Sequence, residues 1–153
     1  MAVTLDQAEI DEFLSKGHTL IFTTVDREGY PHSTPLWYAY LDGHIYTRGR
    51  ARSQKAANIT RNPKVCCLVE TGDRWRELKA VMIRGRAEVV TDEETRRRYA
   101  QAVTEKYAAF REPAQNMPAA TQRHYSTPDA IYKVVPEKKV ASWDNRKIRL
   151  VQR

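Results

Sequence analysis

The stretch Tyr46-Thr47-Arg48-Gly49-Arg50-Ala51-Arg52-Ser53-Gln54-Lys55 joins a predicted strand to a predicted helix. Residues 44–46 are typical of a strand end, and the run that begins at Ala56 is typical of a helix. A basic loop at a helix N-terminus binds phosphate through backbone N–H groups, the helix dipole, a hydroxyl such as that of Ser53, and Arg and Lys side chains. We therefore predict a phosphate site in this loop.

No carboxylate lies near the loop in sequence. Between Asp42 and Glu70 there is no Asp or Glu, whereas the same interval contains six basic residues: Arg48, Arg50, Arg52, Lys55, Arg61 and Lys64. A local excess of positive charge favours an anionic ligand. The alternative interpretation is a solvated basic loop, because Arg and Lys side chains mostly lie at protein surfaces.

The length and composition predict one folded domain over residues 1–153. Hydrophobic residues make up 41% of the chain and charged residues 29%, which is typical of a globular protein. The formal charge of +7, from 26 basic and 19 acidic residues, favours anionic partners. Nucleotides, phosphorylated cofactors, nucleic acids and acidic membrane surfaces all belong to that class.

The cysteines and the N-terminal residues indicate a cytoplasmic protein. Cys66 and Cys67 are adjacent, so they are expected on opposite faces of a strand and do not form a disulfide framework. Unpaired cysteines are typical of a reducing compartment. Residues 1–6 are not typical of a signal peptide, and no apolar run approaches the length of a membrane span.

Two longer helices are predicted from capping boxes. Thr4 and Gln7 have the spacing of a capping box before a helix over residues 5–16. Thr91 and Glu94 form a second box, which is followed by an apolar stripe of Tyr99, Val103, Tyr107 and Phe110. A shorter helix is predicted over 53–60. Residues 112–122 contain two prolines and predict a loop or a broken turn of helix that could lie over a ligand site.

The remaining apolar runs predict short strands joined by hairpin turns. These strands are expected at residues 19–25, 32–41, 44–47, 65–71, 78–90, 130–135 and 140–143. In the strand at 78–90, Val81, Ile83, Gly85, Ala87 and Val89 are expected to share the buried face. Short antiparallel strands with a few helices predict a mainly β, α+β fold: a small β-barrel with flanking helices.

The run over residues 32–41 has little polar alternation, which predicts that both of its faces are covered. Pro35 lies within it and lacks the N–H that a sheet ladder needs. That position is therefore an edge, a bulge or an opening, and a bound ring would suit such an opening. Trp37, Tyr38 and Trp143 are candidate ring contacts, although such residues more commonly pack in a core or an interface.

Several common sites are not indicated. His18, His32, His44 and His124 have no metal-ligand spacing with the cysteines or acids, so we predict no metal site. The motifs of P-loop, Rossmann and α/β-hydrolase sites do not occur. A strand cysteine is usually inert packing, so no catalytic residue is predicted.

Five segments together resemble the pyridoxamine 5'-phosphate oxidase-like split-barrel family of flavin and deazaflavin oxidoreductases. In chain order they are Thr34–Tyr38, Thr47–Lys55, Asn62–Val65, Arg84–Ala87 and Trp143–Lys147. The resemblance covers nearly the whole chain. It implies a six-stranded antiparallel split β-barrel and a homodimer with the cofactor at the dimer interface.

The resemblance also implies the cofactor-binding residues. The ring is expected against Thr34, Pro35, Leu36 and Trp37. The phosphate is expected on Thr47, Arg48, Gly49, Arg50, Arg52, Ser53 and Lys55. Residues from the partner subunit are expected to close the site, and the candidates for that role are Trp75, Lys79 and Trp143.

The chain looks closer to the deazaflavin F420 branch than to the oxidases of pyridoxamine phosphate. It lacks their C-terminal Arg-x-His type of motif, since residues 147–153 read KIRLVQR. F420 carries a phosphodiester and a polyglutamate tail, which suits a long basic span better than the single phosphate of FMN. The predicted cofactor is therefore F420, with FMN as the alternative.

The predicted function is an F420-dependent reductase that transfers a hydride from the reduced deazaflavin to an electron-poor small-molecule substrate. The cofactor carries this chemistry, and the protein orients it and excludes water. Tyr38 or Tyr46 is a candidate proton source. The alternatives are an FMN-dependent oxidoreductase and a carrier without turnover. A nucleic-acid-binding module is disfavoured because the aromatic residues do not alternate with the basic ones.

Overall fold

Eight antiparallel strands form one curled sheet in the computed structural model, which describes residues 3–151. The strands are β1 (Leu20–Val25), β2 (Pro31–Leu36), β3 (Tyr38–Leu41), β4 (His44–Arg50), β5 (Lys64–Thr71), β6 (Lys79–Val89), β7 (Asp129–Pro136) and β8 (Ala141–Asp144). The α-helices are α1 (Gln7–Lys16), α2 (Gln54–Arg61), α3 (Glu93–Lys106) and α4 (Ala119–Tyr125). Short 3-10 turns occupy Trp75–Glu77, Ala108–Phe110, Ala114–Asn116 and Asn145–Lys147.

The strand order across the sheet is β2-β1-β5-β6-β7-β4-β3, and β8 pairs with the first part of β6. The two edge strands, β2 and β3, are consecutive in the chain and are separated only by Trp37. This connection brings the two edges of the sheet together without a ladder between them. The sheet is therefore a split barrel, as the sequence predicted.

Two details of the strand prediction are wrong. The expected strand over 32–41 breaks at Trp37, so that β2 pairs with β1 and β3 pairs with β4. This break divides one of the seven predicted strands in two, so the described residues contain eight strands rather than the six that the resemblance implies. Pro35 lies opposite Ile21 in the edge strand β2, which is one of the positions that its missing N–H allows.

The barrel interior is filled from the inner faces of the strands and from α1. Its largest enclosed side chains include those of Leu14, Phe22, Tyr38, Ile45, Val69, Val81 and Val134. A second apolar cluster lies outside the barrel, where Tyr99, Val103 and Tyr107 pack on Ala39 and Tyr46. Helix α3 is thereby fixed against the outer face of β3 and β4.

The helix starts differ from the predicted capping boxes. Asp6 caps α1 by accepting from the Glu9 N–H at 2.9 Å, and Glu9 accepts from the Asp6 N–H at 2.8 Å. The box is therefore Asp6/Glu9, because a carboxylate at each position satisfies a helix-end N–H. Asp92 similarly caps α3 through the Thr95 N–H, which replaces the Thr91/Glu94 box.

Two predicted core positions are exposed. Helix α3 ends at Lys106, so Phe110 leaves the helical stripe and its exposed fraction is 61%. Val89 pairs with Tyr132 of β7 but lies beyond the last pairing of β6 with β5, at Lys64 and Arg86, and no strand among residues 3–151 pairs with it on that side. The other members of both predicted apolar faces are buried.

We expect Gly85→Ala to destabilise the sheet, because a Cβ at that position would clash with the Val135 backbone carbonyl. Backbone cannot yield as a flexible side chain can, so the free energy of unfolding should fall by about 1–3 kcal/mol. Urea unfolding measures this change. Gly49→Ala is the matched control, since its Cβ meets only the Lys55 side chain. Equal losses in the two variants would contradict this account of Gly85.

Candidate functional site

Two cavities flank the basic loop. The first, called the cleft below, has a volume of about 770 Å³ and is bounded by the β2–β3 corner, the end of β4, α3 and the segment 111–129. The second, called the groove, has a volume of about 980 Å³ and lies between α2 and the β1–β2 turn at Asp26, Arg27 and Glu28. The cleft has a size that is typical of small-molecule sites.

Apart from the two threonines, the predicted site residues separate into three groups. The cleft brings together Pro35, Leu36, Trp37, Arg48, Gly49, Arg50 and Lys55. Arg52 and Ser53 line the groove on the other side of the loop. Trp75, Lys79 and Trp143 line neither cavity. The predicted ring segment and the predicted phosphate loop therefore meet in the cleft, with the exception of Arg52 and Ser53 in the groove and of Thr34 and Thr47.

The two predicted threonines lie beside the cleft rather than in its lining. Thr47 is fully buried, and its Oγ1 donates to the Trp37 carbonyl at 2.9 Å. It therefore fixes the corner between β2 and β3. The Thr34 hydroxyl is enclosed and has no hydrogen-bond partner among residues 3–151.

Lys55 reaches the cleft by crossing Gly49. A Cβ on Gly49 would lie 2.9 Å from the Lys55 Cδ, so the close approach of the Lys55 side chain to the backbone requires glycine at position 49. Burial, and secondly the charge of Arg50, lower the pKa of Lys55. Within the described part of the chain, its ammonium has neither a carboxylate nor a hydrogen-bond acceptor. A partly buried cation of this kind is suited to an anionic ligand.

Arg50 is committed to the fold. Its Nη1 lies 2.6 Å from the Asp129 Oδ1 and donates to the carbonyls of Tyr125 and Thr127 at 3.0 Å each. Its side chain is only 15% exposed. Arg50 therefore anchors the segment that follows α4, and its predicted role as a free phosphate ligand is not supported by these contacts.

Asp129 supplies the carboxylate that the loop lacks in sequence. Strand β7 pairs with β4 and places Asp129 opposite Arg50. The Arg48 Nη1 lies 3.4 Å from the second Asp129 oxygen, but the Arg48 side chain remains 42% exposed. Arg48 and Lys55 are therefore the cations of the predicted loop that the cleft leaves available to a ligand.

An aromatic wall forms the other end of the cleft. The rings of Trp37 and Tyr107 stack with centroids 4.4 Å apart and an interplanar angle of 5°. The Tyr107 hydroxyl donates to the His18 carbonyl at 2.7 Å and accepts from the Tyr38 N–H at 3.2 Å. Arg111 lies 5.7 Å from the Trp37 ring centroid. Stacking and hydrogen bonds therefore hold the Trp37 ring in one orientation.

Several residues of the cleft were not predicted. They are Thr19, Tyr99, Val103, Arg111, Glu112, Ala114, Met117, His124, Tyr125 and Asp129. The segment 112–122 borders the cleft as predicted, but its last residues begin the helix α4, which the sequence analysis does not predict. Tyr99 and Val103 were expected only as core. Tyr38 and Tyr46, the candidate proton sources, are buried and do not line the cleft.

Trp75, Lys79 and Trp143 lie together at the end of the sheet where β6 pairs with β8. Trp143 is opposite Ala80, and the Lys79 Nζ lies 3.9 Å from the Asp144 carboxylate. The Asn145 side chain donates to the Trp75 carbonyl at 2.6 Å. These residues are brought together with one another but not with the cleft of the same chain.

Neither a metal site nor a reactive thiol is indicated among residues 3–151. No group of three or more His, Cys, Asp or Glu side chains over residues 3–151 has an arrangement that would hold a metal ion. Cys66 and Cys67 are free thiols, and burial raises the pKa of both. None of the helices in the described part of the chain is long and apolar enough to cross a membrane.

Comparison with known proteins gives a family match over most of the chain. The family model described as pyridoxamine 5'-phosphate oxidase matches residues 6–139. No curated protein matches the chain.

Solved structures show the same fold. A conserved hypothetical protein from Mycobacterium tuberculosis is 31% identical, with a TM-score of 0.82 over 100% of this chain and 94% of that one. An FAD-binding protein from Mesorhizobium loti is 23% identical, with a TM-score of 0.68 over 91% and 94% of the two chains. An F420 reductase is 21% identical, with a TM-score of 0.62 over 86% and 94%.

Lys106 packs on the rings of Tyr38 and Tyr107 and gives a pH-dependent test of this packing. Its Nζ lies 3.7 Å from the Tyr38 ring centroid, and burial lowers the pKa of Lys106 to about 8. An unfolded lysine has a pKa of about 10.4, so the unfolded chain binds more protons between these values. We expect the stability of the wild type to rise relative to Lys106→Met as the pH increases from 8 to 10. Urea unfolding at both pH values measures this, and parallel behaviour would contradict it.

Proposed function

Because the chain belongs to the pyridoxamine 5'-phosphate oxidase family, we propose that it is an oxidoreductase that binds the deazaflavin F420 in the cleft. The observation that carries this proposal is the partly buried Lys55 ammonium, which has no partner among the described residues and lies in the same cavity as Pro35 and Trp37. FMN is the alternative cofactor. The fold similarity to an F420 reductase and to an FAD-binding protein supports a cofactor of the flavin type.

The residues of the cleft fit such a cofactor. Lys55 and Arg48 would hold the phosphate, and Ser53 already caps α2 by accepting from the Ala56 N–H at 3.2 Å. The positive end of that helix adds to the attraction for an anion. A ring would lie along Pro35, Leu36 and Trp37, where the Tyr107 stack supports the Trp37 side chain from behind.

Reduced F420 supplies a hydride when it is bound, and the protein supplies position. The corner at Trp37 would orient the ring, while Lys55 and Arg48 would neutralise the phosphate. The segment 111–129 would exclude water from one side, since Met117 and His124 line the cleft. The substrate is therefore proposed to be a small electron-poor organic molecule that stacks on the exposed face of the ring.

The groove offers a basis for choosing F420 over FMN. Arg52 lies at the end of the loop that faces the groove, together with Arg27 and Arg61. The acidic tail of F420 would pass this side of the loop, whereas the single phosphate of FMN would end at Lys55. The carboxylates of Asp26 and Glu28 flank Arg27 in the groove and would repel an acidic tail at that end. Arg52 is therefore proposed as the main contact of the tail.

Cofactor titration tests this assignment. Lys55→Ala should weaken F420 and FMN alike, by roughly 1–3 kcal/mol, because both cofactors carry the phosphate. Gly49→Ala should also weaken both, since its Cβ displaces Lys55. Arg52→Ala should weaken F420 only. Ligand fluorescence measures each affinity, and Arg97→Ala on the exposed face of α3 is the control for a general loss of positive charge.

The titration also decides between the alternatives. Tight FMN binding with no F420 binding would overturn the proposed cofactor. Unchanged affinity in both Lys55→Ala and Arg52→Ala would move the phosphate site away from this loop. Stable F420 binding without reduction of any quinone, nitro compound or activated enone would identify a carrier instead of an enzyme.

A homodimer is proposed from the outer face of the sheet. The ladders place Pro35, Ile21, Leu68, Met82 and Ala141 in one row across five strands. This row points away from the barrel interior, because the neighbouring row contains the buried Phe22 and Cys67. An apolar row on an outer face favours a second copy of the chain. In that arrangement, Trp75, Lys79 and Trp143 are the candidates to close the partner's cleft.

Leu68→Arg should separate the dimer, since it places an unpaired charge in the centre of the apolar row. We expect a monomer by size-exclusion chromatography with light scattering, together with weaker cofactor binding and an unchanged circular dichroism spectrum. Thr104→Arg, on the exposed side of α3, is the matched control. If Leu68→Arg remains dimeric, another surface forms the interface.

A further inference from the structure

Tyr99 has an unusual environment among the buried tyrosines. Its side chain lies on α3, is only 1% exposed and contributes to the lining of the cleft. Its hydroxyl has no hydrogen-bond partner among residues 3–151. By contrast, the hydroxyl of Tyr107 donates to the His18 carbonyl, that of Tyr40 to Asp11, and that of Tyr38 to the Leu14 carbonyl.

The surroundings of Tyr99 explain why the hydroxyl is unpaired. The ring packs in the apolar cluster outside the barrel, with Ala39, Val103 and Ile131 among its members. These side chains fix the ring but offer no acceptor. An unpaired buried hydroxyl is unfavourable, and such groups in native proteins are uncommon and often have a functional explanation.

The charges near Tyr99 indicate what the hydroxyl would bind. Burial raises the pKa of Tyr99, so the phenol stays protonated and can donate. Arg48 and Arg111 oppose that rise and therefore lie close enough for their positive charges to act on the phenol. Tyr107 and Asp129 act in the opposite sense, and the Asp129 carboxylate is paired with both Arg50 and Arg48. Because the side chains of Arg48 and Arg111 line the same cleft as Tyr99, an oxygen that carries negative charge suits this position.

We infer that the Tyr99 hydroxyl donates a hydrogen bond to a carbonyl or anionic oxygen of the molecule that occupies the cleft. This inference rests on the proposed function, in that it requires the cleft to bind a ligand. The hydroxyl is enclosed, and the long side chains of Arg48 and Arg111 line the cleft with it. A ligand that draws these arginines toward its charge gives the phenol its missing acceptor.

The oxygen can belong either to the cofactor or to the substrate, and both present the same chemistry to Tyr99. The cofactor would offer an oxygen of the ring or of the chain that leads to the phosphate at Lys55. The substrate would offer the carbonyl or nitro oxygen of an electron-poor molecule. In both cases Tyr99 is a binding residue, and its donor complements the cations at the rim of the cleft.

Tyr99→Phe is the decisive variant, because it removes the hydroxyl and keeps the ring. Without ligand, its melting temperature should equal or exceed that of the wild type, since an unpaired polar group is lost. With F420, its affinity should fall about 10-fold or more if the cofactor supplies the oxygen. If F420 affinity is unchanged and the KM for menadione rises by a similar factor, the substrate supplies it.

Tyr40→Phe is the matched control. It loses the 2.6 Å hydrogen bond to Asp11, which lies outside the cleft, so its melting temperature should fall while F420 affinity stays the same. A fall in the ligand-free melting temperature of Tyr99→Phe to the same extent would overturn the inference, because the hydroxyl would then have a partner within the protein. Unchanged F420 affinity together with an unchanged KM would also overturn it.

These outcomes separate the inference from the proposed function. If wild-type protein binds FMN but not F420, the proposed cofactor is wrong, and the same comparison is made with FMN. If it binds neither, the proposed function fails, and the ligand-free melting temperatures still decide whether the Tyr99 hydroxyl is unpaired. If F420 binds but Tyr99→Phe behaves as wild type, the proposed function stands and the inference alone is wrong.

Discussion

The break of the chain at Trp37 is the constraint on which the rest of the structure depends. At this residue the backbone leaves one edge of the sheet and joins the other, so the barrel closes through a covalent connection instead of a ladder. The Thr47 hydroxyl holds the Trp37 carbonyl, and the Tyr107 ring covers the Trp37 side chain. A strand could not satisfy its backbone here, which is why polar side chains take over that function. The resulting gap is the end of the cleft.

The basic loop illustrates how one run of like residues divides into different roles. Arg50 is enclosed and donates to three acceptors within residues 125–129. By contrast, the Lys55 side chain lies across Gly49 and has no acceptor among the described residues. Arg52 faces the groove. The alternation along β4 and the turn into α2 determine which side chain points where. Positive charge in the sequence therefore favours an anionic ligand near this loop, while the register decides which side chains face the cleft and which face the groove.

Local patterns predicted the hairpins, the helices α1, α2 and α3 and the mainly β fold, because turn residues and apolar periodicity act over a few positions. They also predicted that Pro35 lies at an edge, a bulge or an opening, and it lies in the edge strand β2. They did not predict the break at Trp37, which depends on the stack with Tyr107 far along the chain, nor the pairing of Arg50 with Asp129 across β4 and β7. The loop does lack nearby acids in sequence; the carboxylate comes from a strand 79 residues away. Trp75, Lys79 and Trp143 lie outside the cleft of their own chain, and they were predicted to close the cleft of a second copy.

Tyr99 shows why an apolar helical stripe does not separate core from site. The periodicity of α3 places Tyr99, Val103 and Tyr107 on one face, and that face contacts both the barrel and the cleft. The rings of Tyr99 and Tyr107 are both buried, but their hydroxyl groups differ: that of Tyr107 donates to the His18 carbonyl, and that of Tyr99 has no partner among residues 3–151. The hydrophobic pattern of the sequence predicts only that the ring is buried. The hydrogen-bond partner of the hydroxyl distinguishes a tyrosine that only packs in the core from one proposed to bind a ligand. That partner is set by the tertiary structure and not by the local sequence.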